Sequence, residues 1–189
     1  MNQKMNSEEI EIVVAGAEHE QYVQEILDTI AAAAKVRGTG IAKRSPEYVA
    51  QKMREHKAVV ALYHGEFAGF SYIECWSEKK FVANSGLIVS PKFRGIGLAK
   101  RIKRRIFDLS REMFPEAKIF SLTTGEAVMK MNSELGYRPV TFPSLTDDEA
   151  FWRGCENCVN YDILQRYGGT KCLCTGMLYD PAEHLDDAK

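Results

Sequence analysis

The chain has 189 residues, 45% of them hydrophobic and 27% charged, and its 25 basic and 26 acidic side chains leave a net charge of −1. That is the size of one domain with an elaboration and the balance of an ordinary globular protein, which excludes a disordered, collagen-like or coiled-coil chain. No apolar run approaches the ~18 to 20 residues that cross a bilayer, residues 1–11 lack the basic-then-apolar order of an export signal, and near-zero charge gives no reason to expect a nucleic-acid or membrane partner.

A cytoplasmic protein is therefore expected. Five cysteines without an export signal argue against structural disulfides. Residues 11–15 form a β-branched run and predict a first strand. Residues 20–34 predict a helix, since Val23, Ile26, Leu27, Ile30 and Ala31 share one face. Gly38 to Gly40 break it. Ser45 and Pro46 then read as N-cap and first residue of a second helix. Three strands follow at 58–63, 67–76 and 81–89, separated by turns at His64-Gly65 and at 77–80.

From 97 to 113 a strong amphipathic helix is predicted, with Leu98, Ile102, Ile106, Leu109 and Met113 on one face and Pro115 as its stop. A strand at 118–123, a helix at 125–135 closed by Gly136, and a strand at 137–142 complete the regular part. Beyond it, 147–152 reads as helical, 171–179 as a final strand, and 180–189 as a frayed polar tail. The expected organisation is a core at 1–142 and a C-terminal elaboration of the same domain at 143–189.

Chemistry concentrates in the segment Gly86-Leu-Ile-Val-Ser-Pro-Lys-Phe-Arg-Gly-Ile-Gly-Leu-Ala99. A strand runs into a glycine-bearing loop and straight on into a helix. Backbone N–H groups at a helix N-terminus lack intrahelical partners and carry the positive end of the dipole. Gly95 and Gly97 let a phosphate approach that backbone, and Arg94 adds a cation. No Gly-Lys-Ser/Thr follows, so this is not a Walker loop, and the three-glycine dinucleotide fingerprint is absent.

The segment resembles the acyl-CoA-binding motif Arg/Gln-x-x-Gly-x-Gly/Ala of the GCN5-related N-acetyltransferase (GNAT) family, through Arg94, Gly97 and Ala99 behind Val89-x-Pro91. The order of elements over residues 10–142 resembles that family as well. The resemblance implies an α/β fold with a mixed, mostly antiparallel central sheet, splayed at the acyl-CoA site and covered by helices on both faces. It implies that Leu87, Ile88 and Val89 pair with the pantetheine arm, and that Arg94, Gly95, Ile96, Gly97, Leu98 and Ala99 hold the pyrophosphate. Acetyl-CoA, or another acyl-CoA, would be the co-substrate, and the acyl acceptor a primary amine of a small molecule.

The chain also departs from the family pattern. Many members carry a glutamate base where this sequence has Ala83, and a tyrosine acid where it has Asn132. A tight turn at 77–80 would place Glu74 across from Ala83 on the same face of the sheet, where its carboxylate could serve as base. Alternatively Glu74 is a solvated strand residue or a substrate contact. Asn132 could polarise the thioester or touch pantetheine, but cannot supply a proton. The missing pair also motivates a second reading, a catalytically silent CoA-binding regulatory module.

A loose likeness of Phe120-Ser-Leu-Thr-Thr124, Leu135-Gly-Tyr-Arg-Pro139 and Leu145 to the acyltransferase domain of glutamate N-acetyltransferases suggests an amino-acid acceptor. Arg138 or Arg153 would then be the cation for its carboxylate, unless both are surface residues. The run Lys100, Arg101, Lys103, Arg104, Arg105 reads as the solvated face of its helix, with one or two of these residues near the CoA phosphates. Cys155, Cys158, Cys172 and Cys174 are either small buried hydrophobes or a four-thiolate zinc set, the last two on one side of a strand. No metal is assigned, and a homodimer is left open.

Overall fold

Two tight hairpins organise the centre of the molecule. At His64-Gly65 both residues are left-handed (φ 49° and 82°), the two-residue turn whose twist matches that of the flanking strands. At Ser77 to Lys80 the chain turns through three left-handed residues and is closed by the Lys80 N–H donating to the Ser77 carbonyl at 3.1 Å. These turns join β2 (Ala58–Tyr63), β3 (Glu66–Trp76) and β4 (Phe81–Val89) in the computed structural model, which describes residues 7–37 and 44–188. The expected break at Gly38 to Gly40 lies outside the described residues.

The other elements are β1 (Ile10–Val14), α1 (Val23–Arg37), α2 (Pro46–Arg54), α3 (Leu98–Met113), β5 (Lys118–Thr123) and α4 (Glu126–Glu134). Then come β6 (Arg138–Val140), α5 (Glu149–Arg153), α6 (Tyr161–Arg166) and β7 (Thr175–Tyr179). One seven-stranded sheet runs in the order β1-β2-β3-β4-β5-β7-β6. It is antiparallel except at β4–β5, so the mixed, mostly antiparallel sheet expected from the sequence is present. The late strand β7 inserts between β5 and β6, so residues of the C-terminal region complete the central sheet.

Helices cover both faces. Ile26, Ile30, Val49 and Met53 of α1 and α2 pack against Val60, Phe70 and Tyr72. On the other face Leu98, Ile102, Ile106 and Leu109 of α3 pack against Ile73, Val82 and Ile119. Strand alternation then puts Ala83 and Phe120 on the α1–α2 face, where they join Phe142, Leu145, Leu164 and Leu178 in a third cluster. None of the described helices is long and apolar enough to cross a membrane.

Several boundaries differ from the expectation. The first helix starts three residues late because Ala17–Tyr22 winds as a tighter 3₁₀ segment. The last strand spans only Thr175–Tyr179, so Cys172 and Cys174 precede it rather than sharing one of its faces. The tail is not frayed through Ala188: Pro181–Ala188 forms short helical turns, anchored where His184 stacks on Tyr179 at 4.4 Å and Glu183 pairs with Arg138.

Candidate functional site

β4 and β5 are paired over only three residues, Phe81↔Lys118, Val82↔Ile119 and Ala83↔Phe120. Beyond Ala83 they part, while β4 keeps its pairing with β3 as far as Val89. Among the described residues, no strand pairs with the edge of β4 facing β5 from Asn84 onward. A bulge lies in this stretch, since Tyr72 faces Ser85 while Phe70 faces Ile88. Gly86 makes the bulge. Its φ is +64°, and a Cβ there would stand 2.4 Å from Cε1 of Tyr72, so no other residue fits.

The bare edge leads into the cradle. Gly97, at φ 78°, is the N-cap of α3. The first intrahelical bond runs from the Arg101 N–H to the Gly97 carbonyl at 3.3 Å, which leaves the N–H groups of Leu98, Ala99 and Lys100 without a helical acceptor. A Cβ placed on Gly95 or Gly97 would meet nothing within 4 Å, so the loop faces open space. Arg94 is exposed, and its Nε donates to the Val89 carbonyl at 3.1 Å, tying the loop to the end of β4. A cavity of about 510 Å³ borders α3 and α4, with Gly97, Lys100, Lys103, Arg104, Met131 and Leu135 among its walls.

Glu74 stands opposite Ala83, the register expected from the turn. Its side chain is only 13% exposed. Lys52 Nζ lies 3.1 Å from Oε1, and among the described residues the buried Oε1 has no hydrogen-bond partner. Burial pushes the Glu74 carboxyl up to about 7, opposed by the positive charge of Arg44. Burial likewise lowers Lys52, assisted by repulsion from Lys57. Arg44 Nε donates to the Tyr72 hydroxyl at 2.5 Å, and both cations lie over aromatic rings, Lys52 5.1 Å from the centre of Tyr48 and Arg44 5.8 Å from that of Tyr72. The sequence reading missed Arg44 and Lys52; the i, i+4 spacing of Tyr48 and Lys52 on α2 was the available sign.

The opposite face of the sheet holds a second polar group, and here one expectation is corrected. Lys103 is not on a solvated face: it is 3% exposed, with Nζ 3.4 Å from Asn84 Oδ1 and 5.0 Å from the centre of the Tyr137 ring. The Tyr137 hydroxyl donates to the same Oδ1 at 3.3 Å, and Asn84 Nδ2 donates to Ser110 Oγ at 2.8 Å. Burial alone pushes Lys103 down to about 7, and burial, with repulsion from Tyr179, holds the Tyr137 phenol well above its ordinary value. Asn132 is wholly buried between α4 and β7, its Nδ2 3.7 Å from Met177 Sδ and its Oδ1 without a partner.

Neither expected acceptor cation joins Glu74. Arg138 is exposed on β6 and held by Glu183 through bonds of 2.9 and 2.6 Å. Arg153 lines a separate cavity of about 440 Å³ with Trp152, Tyr161 and Leu164. Cys155, Cys158, Cys172 and Cys174 are half-buried free thiols, and among the described residues no three His, Cys, Asp or Glu side chains are placed to hold a metal ion.

Residues 44–137 match the model of the acetyltransferase (GNAT) family. No curated protein matches by sequence. Among solved structures, N-acetylglutamate synthase of Neisseria gonorrhoeae, complexed with coenzyme A and N-acetyl-glutamate, superposes with a TM-score of 0.65 at 18% identity over 94% of this chain and 36% of its own. Thus the chain spans about a third of that protein's length. The Salmonella typhimurium protein yncA, with acetyl-CoA bound, gives a TM-score of 0.63 at 14% identity over 91% of this chain and 94% of its own. Rv2747 of Mycobacterium tuberculosis, in complex with CoA, gives 0.63 at 15% identity over 90% and 98%. With the splayed β4–β5 pair, the β4 bulge and the glycine cradle all lying within the matched segment, the chain belongs to the GNAT acetyltransferase family.

Proposed function

We propose that this protein is an N-acyltransferase that moves an acetyl or other acyl group from acyl-CoA to the primary amine of a small molecule, with an amino acid as the favoured acceptor. The observation that carries this is the bare edge of β4 from Asn84 to Val89 running directly into the left-handed turns at Gly95 and Gly97. Such an edge offers backbone pairing to an extended pantetheine arm, and the N–H groups at the start of α3 suit a pyrophosphate. Leu87, Ile88 and Val89 would take the first role, and the loop from Arg94 to Ala99 the second.

In this reading Glu74 is the base. An amine entering from the α1–α2 face would meet a buried carboxylate poised near neutrality, able to take its proton directly or through water. The amine nitrogen then attacks the thioester carbon, helped by backbone N–H groups that polarise the carbonyl, and by being held against it. Lys52 and Arg44 favour an acceptor that carries a carboxylate, since they bring two cations to the side of Glu74. The N-acetyl-glutamate in the Neisseria gonorrhoeae complex points to the same acceptor class.

Calorimetric titration with acetyl-CoA, followed by a panel of amino acids, polyamines and peptides read by CoA release, tests the proposal. Binding of acetyl-CoA and turnover with a carboxylate-bearing amine are expected. Failure to bind any CoA ester would sink it. Binding without CoA release from any amine would favour the silent regulatory module instead.

A further inference from the structure

Lys103, Asn84, Tyr137 and Ser110 form a polar group within the α3 face of the sheet that the reaction as described does not use. Lys103 is unusual within it. Its ammonium is buried, and among the described residues no carboxylate stands within ion-pair distance of it. Among the described residues its one hydrogen-bond acceptor is the neutral Asn84 Oδ1, which it shares with the Tyr137 hydroxyl. A lone buried cation is costly, and an apolar side chain at this helix position would pack at less expense in free energy.

Position suggests what the cost supports. Asn84 is the first residue of β4 past the last β4–β5 pair, so the group lies at the root of the splay. Lys103 also lines the cavity that includes Gly97 of the cradle. Its ammonium meets Asn84, the residue at which the two strands part. Asn132 stands where many family members carry a tyrosine acid, and an amide cannot donate a proton to a thiolate. We infer that Lys103 is the proton donor to the departing CoA thiolate, with Asn84 and Tyr137 as positioning residues; this rests on the acyl-transfer reading.

The amine nitrogen bonds to the acyl carbon and passes its proton to Glu74. The carbon–sulfur bond breaks, its electron pair stays on sulfur, and sulfur takes a proton from Lys103 Nζ. Neutral Lys103 is reprotonated, and Glu74 is deprotonated, by water once CoA has left. A lysine held near 7 by burial is still substantially protonated at neutrality, yet is a stronger acid than an ordinary thiol of pKa about 8.5. The charged and titratable groups around it are Lys100, Arg101, Arg104, Arg105 and Asp108 on α3, Glu134 on α4, Tyr137 ahead of β6, Tyr179 on β7 and Cys75 on the same face of β3. Of these, Glu134 is engaged by Lys100 at 2.5 Å.

Lys103→Met and Lys103→Arg test the inference in acyl transfer from acetyl-CoA to the best amine, with kcat measured from pH 5.5 to 9.5, acetyl-CoA affinity by calorimetry, and thermal melting. The Met variant should melt at or above the wild-type temperature and bind acetyl-CoA within about threefold. Its kcat should fall by roughly 10² or more, the usual loss for a general acid, and the decline of kcat above neutral pH should vanish. Arg keeps a cation but cannot release its proton, so it should lose rate as Met does. A Lys103→Arg enzyme with wild-type kcat, or a Met variant that keeps both the rate and the alkaline decline, would overturn the assignment. So would loss of acetyl-CoA binding in both variants, which would make Lys103 a binding residue. Wild-type protein that turns over no amine would instead defeat the acyl-transfer reading, and this inference with it.

Discussion

Replacing Glu74 by Gln removes a carboxyl whose burial has a cost that varies with pH, so stability should report on the site independently of any assay for catalysis. Raising a carboxyl from its ordinary 4.5 to about 7 corresponds to about 3 kcal/mol between the two protonation states. Lys52, 3.1 Å away, recovers part of this when Glu74 ionises, which leaves an expected effect of about 1 to 3 kcal/mol. The sign is fixed by proton binding. Between pH 4.5 and 7 the folded protein binds more protons at Glu74 than the unfolded chain does, so its contribution to stability falls as pH rises through that window and is level above it. The Gln variant lacks this fall. Urea unfolding of both proteins at intervals from pH 4.5 to 8.5 should therefore show the variant gaining on the wild type by that amount. All other carboxyls cancel in the difference. Parallel stability curves would refute the claim that Glu74 is buried and hard to ionise, and with it the basis for assigning it as a base poised near neutrality.

Four shorter predictions follow from the same geometry. Wild-type kcat should trace a narrow bell centred near pH 7, because Glu74 must be ionised and Lys103 protonated, and each sits at about 7; a profile flat from pH 6 to 9 would remove both from the chemistry. Gly97→Trp should lower acetyl-CoA affinity by roughly 10², since the new side chain fills the cradle from open space, and should cost about 1 to 2 kcal/mol of stability because a side chain is strained at φ 78°; calorimetry reads the first and chemical denaturation the second. Gly86→Ala should destabilise the fold by roughly 2 to 4 kcal/mol in chemical denaturation, because its Cβ would collide with Tyr72 at a backbone angle that disfavours any side chain. Arg138→Ala should leave kcat and KM unchanged, and a raised KM for a carboxylate-bearing amine would return Arg138 to the acceptor site.

What the sequence reveals here depends on how local each feature is. Glu74 was placed opposite Ala83 correctly because a short turn fixes the register of the strands it joins, and side-chain direction then follows by alternation. The cradle was legible because two close glycines ahead of an amphipathic helix have few other uses. Lys103 is not legible as buried, because the apolar stripe through Leu98, Ile102, Ile106 and Leu109 accounts by itself for one buried face of α3. In the fold a second row, Lys103, Phe107 and Ser110, is buried beside it. Phe107, one turn beyond Lys103, was the sign that this flank is covered too. The position of β7 between β5 and β6 was not legible at all, since it depends on pairings between distant segments with no turn to set them.

The rungs of the sheet connect these observations. Glu74↔Ala83 and Ile73↔Asn84 are neighbouring pairs on β3 and β4, so Glu74 and Asn84 emerge on opposite faces one residue apart. In the proposed reaction the amine gives up its proton on the face covered by α1 and α2, and the thiolate gains one on the face covered by α3. The sheet itself keeps the two proton transfers from short-circuiting. This separation holds only while the register holds, because a slip of one residue would turn every side chain to the other face. The bulge at Gly86 gives the register a fixed point, with Tyr72 filling the space where a Cβ would lie and Ser71 Oγ donating to the Ser85 carbonyl at 2.9 Å. Gly86 thus bends the bare edge of β4 and helps hold Glu74 and Asn84 on opposite faces, as the proposed reaction requires.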